Sequence, residues 1–541
     1  MLRGAPPPVP YAFMAMSLPA RLTALLEPAA YPHPVRGVRL VETHISWVFL
    51  TGELAYKVKK PVCYPFVDLR PVERRAFFCS EELRLNRRFA PELYLRVCAV
   101  TLEGERARID GQGEIIDHAV CMRQFRAADE LGPLLASGEL APHALAGFGR
   151  ELARLHAGLP CAGAAEPWGT AENVRALLLR NLEECLQAAQ RLGTAAAVRS
   201  LSGAYAACIA AAEPALVRRR AGGRVRECHG DLHAGNVARY AGRLLAFDCI
   251  EFEPAFRWID VAEEIGCLYM DLRTRGFVAH AQAFLGGYLL ESGDYPACRL
   301  LHLYGAHRAL VRAKVAALRA ADASDPQTLA ASRQEHGRYL EGARELLAAR
   351  RPRLVLMCGL SGSAKTWLAE RLAPALRAIH LRSDVERKRL GGLAAEQRSG
   401  SALGQGLYSA PMSAATYERL RECAAEALDG GLSVIVDATC QLREQRARLS
   451  SLGAECQAAV YVVFCHAPRE VLEQRIGARQ SEAADASEAD RSVLALQQAR
   501  FEPIDAAERL TVIDADTTRA DVVPRVLEQL AALSTTADGS A

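Results

Sequence analysis

An apolar pentapeptide, Leu354-Val355-Leu356-Met357-Cys358, passes without transition into Gly359-Leu360-Ser361-Gly362-Ser363-Ala364-Lys365-Thr366. No other feature of the 541-residue chain restricts its folding as strongly. Five apolar residues with no polar alternation read as a strand buried on both faces, as in a parallel sheet covered by helices. The turn that follows lets the backbone N–H groups of Gly359, Ser361, Gly362, Ser363 and Ala364 curl around phosphate oxygens at a helix start. Lys365 then reaches the outer phosphates, and Thr366 supplies a hydroxyl ligand for magnesium. One position departs from this pattern, because Ala364 stands where a second glycine belongs. If that residue must take a positive φ, its Cβ costs about 1 kcal/mol.

Downstream residues fit the same chemistry. Asp384 follows the short apolar strand Ile379–Leu381, the strand-end position from which a carboxylate can take an acceptor proton. An N-cap to helix Val385–Leu390 is the alternative. The strand Val434–Val436 ends in Asp437, read as the carboxylate beside the metal, with a turn cap as the alternative. Arg475 and Arg479 lie four apart on a helix and share a face, so they can close on a transferring phosphate; a solvated, salt-bridged face is the alternative. The Gly/Ser-rich stretch Ser399–Ser413 is expected to fold over the acceptor.

A second constellation lies upstream: His229-Gly230-Asp231-Leu232-His233-Ala234-Gly235-Asn236, then Phe247-Asp248 at the end of the strand Leu244–Phe247. Phosphoryl transfer needs a carboxylate to take the hydroxyl proton and ligands to hold magnesium on the phosphates. An Asp with an Asn five residues on lets one loop supply both, and a strand-terminal Asp completes the metal site. His229 is expected to orient the loop by hydrogen bonding, and Asp260 to be structural.

Other segments place these motifs. Val38–Leu50 and Leu54–Lys60 read as two strands joined at Thr51-Gly52, with Lys57 and Lys59 on one face. A charged helix is expected over Glu73–Phe89, then strands over Leu93–Thr101 and Ile115–Phe125. Helical periodicity runs from Ala141 to about Arg220, and from Phe252 to about Arg350 with breaks at Asp325-Pro326 and Gly337.

Composition limits the partners. The chain has 66 basic and 63 acidic residues, a net charge of +3, which argues against a general nucleic-acid binder. Its 16 cysteines form no CxxC pair, so zinc ribbons have no support, and free thiols in such number suggest a reducing, cytoplasmic setting. Cys228, Cys249 and Cys358 read as small buried hydrophobes. No segment reads as a membrane span or signal peptide.

The loop His229–Asn236 with Asp248 resembles the aminoglycoside phosphotransferase and protein-kinase-like fold, over roughly residues 17–345. The stretches ETHISWVFLTGELAYKVKKPV, EELRLNRRFAPELYL and FDCIEFEPAFRWIDVAEEI look like an uncharacterised bacterial branch of that superfamily. The resemblance implies that Asp231 is the catalytic base and that Asn236 and Asp248 hold magnesium. It also implies that Lys57 clamps the α/β-phosphates of ATP while pairing with a helix glutamate, Glu82, with Glu81 as the alternative. Residues 352–518, with Asp485-Ala486-Ser487, resemble small bacterial P-loop kinases related to gluconate, chloramphenicol and polynucleotide-end kinases.

The fold class expected is therefore a two-domain chain. An N-terminal α+β two-lobed protein-kinase-like domain spans 17–348, and a C-terminal α/β P-loop NTPase with a mainly parallel sheet spans 349–533. Residues 1–16 and 534–541 are expected to be disordered, with the functional chain starting at Met16. The implied function is ATP- and magnesium-dependent phosphoryl transfer to hydroxyls of small polar acceptors, or in one case a nucleic-acid end. The alternative is a regulatory protein in which one domain, foremost the P-loop domain, binds ATP without transfer.

Overall fold

The computed structural model describes residues 16–64, 67–397, 399, 405–482 and 491–538. The proposed leader, residues 1–15, lies outside the described residues, whereas Met16 packs at the margin of a core built on Trp47 and Phe49. The chain forms two compact units: residues 1–144, 155–276 and 303–347, and residues 145–154, 277–302 and 348–541.

In the first unit, β1 (Arg39–Glu42), β2 (Ser46–Leu50) and β3 (Leu54–Lys59) precede α1 (Val72–Asn86), followed by β4 (Tyr94–Glu103), β5 (Arg106–Ile109) and β6 (Glu114–Arg123). They form one antiparallel sheet in the order β1-β2-β3-β6-β4-β5. The single strand expected over Val38–Leu50 is broken at Thr43–Ile45, where the Thr43 hydroxyl accepts the Ser46 N–H at 2.9 Å and displaces the ladder. Along β3, Tyr56 and Val58 enter a core with Trp47, Phe49, Cys98 and Ala119. Lys57 and Lys59 necessarily take the opposite face. The buried stripe of α1 is Phe78, Cys79, Glu82, Leu85 and Asn86, a helical spacing that puts Glu82 in its middle.

Helices α2 (Ala171–Leu192) and α3 (Ala195–Ala221) follow. By length and composition alone α3 is apolar enough to cross a membrane, which the sequence reading did not anticipate. Its end is tied into the unit, since Arg219 donates two hydrogen bonds to Asp260 at 2.7 and 2.8 Å. Next come β7 (Val225–Glu227), the hairpin of β8 (Val237–Tyr240) and β9 (Arg243–Ala246), and β10 (Trp258–Asp260), paired with β7. Helix α4 (Val261–Thr274), capped by Asp260, is buried from Val261 to Leu272. Helix α5 (Cys298–Asp322), from Leu303 onward, and α6 (Pro326–Leu347) close the unit. The break expected at Gly337 is absent: Gly337 lies inside α6, because one glycine costs a helix only about 1 kcal/mol.

The second unit carries β11 (Arg353–Cys358), α7 (Lys365–Leu376), β12 (Ala378–Arg382), α8 (Ser383–Leu390), α9 (Ala410–Asp429), β13 (Ser433–Asp437), β14 (Ala459–His466), α10 (Arg469–Glu482), α11 (Arg491–Arg500), β15 (Thr511–Asp516) and α12 (Val522–Asp538). Its five strands are all parallel, in the order β12-β13-β11-β14-β15, so the glycine-rich loop leaves the central strand. The single boundary expected near Ala349 misses the two earlier segments of this unit. Residues 277–302 belong here because Arg389 donates to the carbonyls of Leu290 and Glu291 and Arg419 to that of Gly293. Arg299 also pairs with Glu426 and with Asp429. Of the expected Ser399–Ser413 loop, residues 400–404 lie outside the described residues, and α9 already starts at Ala410, capped by Ser409. Helix α12 continues to Asp538, past the Leu533 expected to end order; residues 539–541 lie outside the described residues.

Candidate functional site

In the first unit a tight hairpin brings the motif residues together. Ala241 and Gly242, both at positive φ (48° and 80°), turn β8 back as β9, the geometry of two-residue hairpins. Val237 then pairs with Ala246, and Phe247 N–H donates to Asn236 O at 2.9 Å, so Asn236 and Asp248 stand at one end of the ladder. Asp248 itself has φ 64°, an αL conformation that Asp tolerates better than most side chains. Gly230 is needed as glycine: its φ is 89°, and a Cβ would lie 2.6 Å from Phe256 O.

Lys57, Lys59 and Glu82 are all buried. Lys57 Nζ donates to Glu82 Oε1 at 2.8 Å and also to Asp248, while Lys59 Nζ donates to Glu82 Oε2 at 2.7 Å and to Glu251. Burial works against charge on Lys57, but Asp248 and Glu82 outweigh it and hold the ammonium well above its ordinary value. Burial would raise the Glu82 carboxyl, but Lys57 and then Lys59 pull it down to about 2. Glu81 turns away to Arg84 at 2.9 Å, so Glu82 is the helix carboxylate that faces the lysines.

Around Asp231 the structure adds groups that no motif marked. His233 Nε2 lies 3.4 Å from Asp231 Oδ2, and Arg308 Nη2 lies 3.6 Å from Oδ1. Arg308 also donates to Gly230 O, and Arg312, one turn on along α5, lies 3.2 Å from His233 Nε2. Burial opposes ionisation of Asp231, but His233, Arg308 and Arg312 hold its carboxyl far below the carboxylate range. Two carboxylates of α4, two helical turns apart, brace the loop. Glu264 accepts the N–H groups of His229 and Gly230 at 2.7 and 3.0 Å, and Asp271 accepts that of Ala234 at 2.9 Å. Burial pushes Glu264 up to about 7 in spite of those bonds. His229 Nδ1 accepts the Asp231 N–H at 3.3 Å, which leaves Nε2–H to donate to Phe247 O at 2.7 Å. Burial lowers this imidazole to about 4, so it stays neutral and fastens the Asp231 loop to the strand end before Asp248. Asn236 Nδ2 donates to Asp231 O at 3.0 Å. The only sequence signal for Arg308 and Arg312 was a pair of arginines four apart on a helix that also carries Arg299, Lys314 and Arg319.

In the second unit Ala364 has φ 58° and ψ 28°, the αL conformation whose cost the sequence raised. Gly362 (φ 81°) leaves no room for a Cβ, which would lie 2.6 Å from Leu472 O. Lys365 Nζ donates to Leu360 O at 2.8 Å. The Thr366 hydroxyl donates to Asp437 Oδ2 at 2.7 Å, and His380 Nε2 lies 3.1 Å from the same oxygen. Burial would raise the Asp437 carboxyl, but His380, Thr366 and Lys365 keep it below its ordinary value. The pairing of Met357 with Asp437 explains this meeting, since it sets Asp437 level with the end of β11, just before the loop.

A cleft of about 980 Å³ opens over these groups, and Ser361, Gly362, Lys365, Thr366, Asp384, Asp437 and Arg475 all line it. Asp384 sits in the first turn of α8, whose N-cap, Arg382, makes no side-chain cap bond. Arg475 reaches the cleft differently from the expectation: its guanidinium donates to Thr517 Oγ1 and O at 2.9 Å each and to Gly362 O at 3.4 Å, and so braces the loop. Arg479 lies in α10, but its side chain is outside the described residues, as are Asp485-Ala486-Ser487. Gln497, unmarked by any motif, accepts the Ser361 N–H through Oε1 at 2.8 Å. Ser363 Oγ is buried with no hydrogen-bond partner among the described residues.

Residues 354–504 match the family model described as an AAA domain. Among solved structures the chain is similar to a gluconokinase from Sinorhizobium meliloti, at 23% identity with TM-score 0.26, over 36% of this chain and all of that one. It is also similar to the Mycobacterium tuberculosis APS kinase CysC, at 22% identity with TM-score 0.27, over 34% of this chain and 99% of that one. A longer similarity is to the uncharacterized protein Rv2004c of Mycobacterium tuberculosis, 30% identical over 473 residues that make up 87% of this chain and 92% of that one. Spanning both constellations at that identity, the chain belongs to the family of this mycobacterial protein.

Proposed function

We propose that the chain is an ATP-dependent phosphotransferase with one site in each unit, each transferring the γ-phosphoryl group to a hydroxyl of a small polar acceptor. The observation that carries the proposal is the double engagement of Lys57. Its ammonium is held by Glu82 and reaches Asp248, whose strand end is fastened through His229 to the loop bearing Asp231. That arrangement suits a lysine for phosphates, an Asn236–Asp248 pair for a metal, and a carboxylate for the acceptor. Magnesium, when bound, supplies positive charge against the phosphates. In the reaction the acceptor oxygen bonds to the γ-phosphorus, the bond to the β,γ-bridging oxygen breaks, and the hydroxyl proton passes to Asp231.

In the second unit Lys365 would neutralise phosphate charge, Thr366 and Asp437 form a hydroxyl–carboxylate donor set of the kind magnesium takes, and Asp384 would receive the acceptor proton. The αL conformation of Ala364 favours one second reading, in which this unit binds nucleotide without transferring phosphate. Incubating the full chain with labelled ATP and a panel of hydroxyl compounds, beside Asp231→Asn and Asp384→Ala, tests the proposal. It predicts labelled product lost in one variant or the other.

A further inference from the structure

One face of α11 is turned to the cleft of the second unit: Val493, Leu496, Gln497 and Arg500 all line it, at the spacing of a single helical face. Leu494 is buried with Leu472 and Ile476, and Leu360 of the glycine-rich loop packs on the same cluster. The helix is thus anchored beside the loop, and its cleft face brings the Gln497 amide onto it. An N–H donor can only be met by the amide oxygen, so the orientation of that amide is set: Oε1 accepts from Ser361 N–H at 2.8 Å.

The Ser361 N–H belongs to the set of loop donors that cradle phosphate oxygens. An amide oxygen is a neutral acceptor, and a phosphate oxygen is a stronger, charged one. Both seek the same donor. We propose that Gln497 sets the nucleotide affinity of this site by competing, through Oε1, with a phosphate oxygen of a nucleoside di- or triphosphate for the Ser361 N–H. The inference rests on the reading of the loop as a nucleotide site. In this role Gln497 lowers affinity, whereas a residue that merely supports the loop would raise it.

The test is calorimetric titration of the full-length chain with Mg-ADP, following the binding component that Lys365→Ala removes. Gln497→Ala is expected to tighten that component about fivefold, the worth of one competing neutral hydrogen bond. Gln497→Glu is expected to weaken it tenfold or more, since a carboxylate both holds the donor better and repels phosphate. Gln497→Asn, which keeps an amide but falls one methylene short, is expected to tighten binding as Ala does and serves if the Ala variant folds poorly. Unchanged or weaker binding in both Ala and Asn variants would overturn the inference. A wild-type titration with no component sensitive to Lys365→Ala would instead overturn the nucleotide reading of the loop itself.

Discussion

Arg308 holds its Nη2 3.6 Å from Asp231 Oδ1, from a helix that carries no recognisable motif. The guanidinium, His233 and Arg312 outweigh burial and keep Asp231 ionised. Because this carboxyl is depressed below its unfolded value of 3.8, its stabilising contribution is present above that value and lost only as the pH falls further. Transfer at the first site should therefore show no acid limb from Asp231 between about pH 5 and pH 7. Arg308→Leu should lower turnover, since it also releases the Gly230 carbonyl of the same loop. Asp231→Asn should abolish transfer while leaving nucleotide affinity largely intact. A pH–rate series on the three proteins checks both.

Lys59 should matter to folding more than to nucleotide. It neutralises Glu82 together with Lys57, and neutralises Glu251 as well. Lys59→Met leaves buried carboxylate charge uncompensated, a change that costs about 3–5 kcal/mol in comparable sites. Arg70→Met, which breaks only the exposed pair with Asp68, should cost far less, because water screens that pair. Denaturant midpoints of the two variants provide the comparison.

At Ala364, glycine removes the αL penalty and adds a smaller entropic cost to the unfolded chain, so Ala364→Gly should stabilise by up to about 1 kcal/mol. Nucleotide binding should tighten or stay the same. A lower melting temperature for the glycine variant would show that the Cβ makes contacts worth more than the strain.

Stability on the acid side should respond to His229. Its imidazole falls to about 4 on burial against 6.5 in the unfolded chain, so the unfolded state takes up a proton first as the pH drops. Stability from this group is complete above 6.5 and is lost as the pH falls toward 4. His229→Gln, which can still donate to Phe247 O and accept from Asp231 N–H, should lose less stability than wild type on going from about pH 7 to about pH 5. Urea midpoints at the two pH values measure the difference.

What could be read from sequence was local. His229–Asn236 and Gly359–Thr366 are contiguous, so their residue types and spacing could be read without knowing what braces them from elsewhere. Asp248 and Asp437 were legible because each ends an apolar strand, and Lys57 and Lys59 because strand alternation assigns faces. Arg308, Arg312, Glu264 and Gln497 were not legible from sequence, since each reaches its loop from an element distant in sequence, and Glu251 meets Lys59 of β3 only on folding. Arg475 was marked for its spacing, but only its tie to Thr517, 42 residues later, reveals what its guanidinium holds. Residues 145–154 and 277–302 show the same limit for boundaries, because no compositional shift announces that they pack with the second unit.

The central claim is that two separate sites transfer phosphate, and ATP consumption by four full-length proteins tests it most directly: wild type, Asp231→Asn, Lys365→Ala and the double variant, each with the same panel of hydroxyl compounds. The account predicts that each single variant loses the products of one site and keeps those of the other, and that the double variant consumes no ATP above background. Wild-type consumption in the double variant would contradict it, as would a wild-type protein that binds nucleotide and phosphorylates nothing across a panel of polyols, sugar acids, nucleosides and oligonucleotide ends.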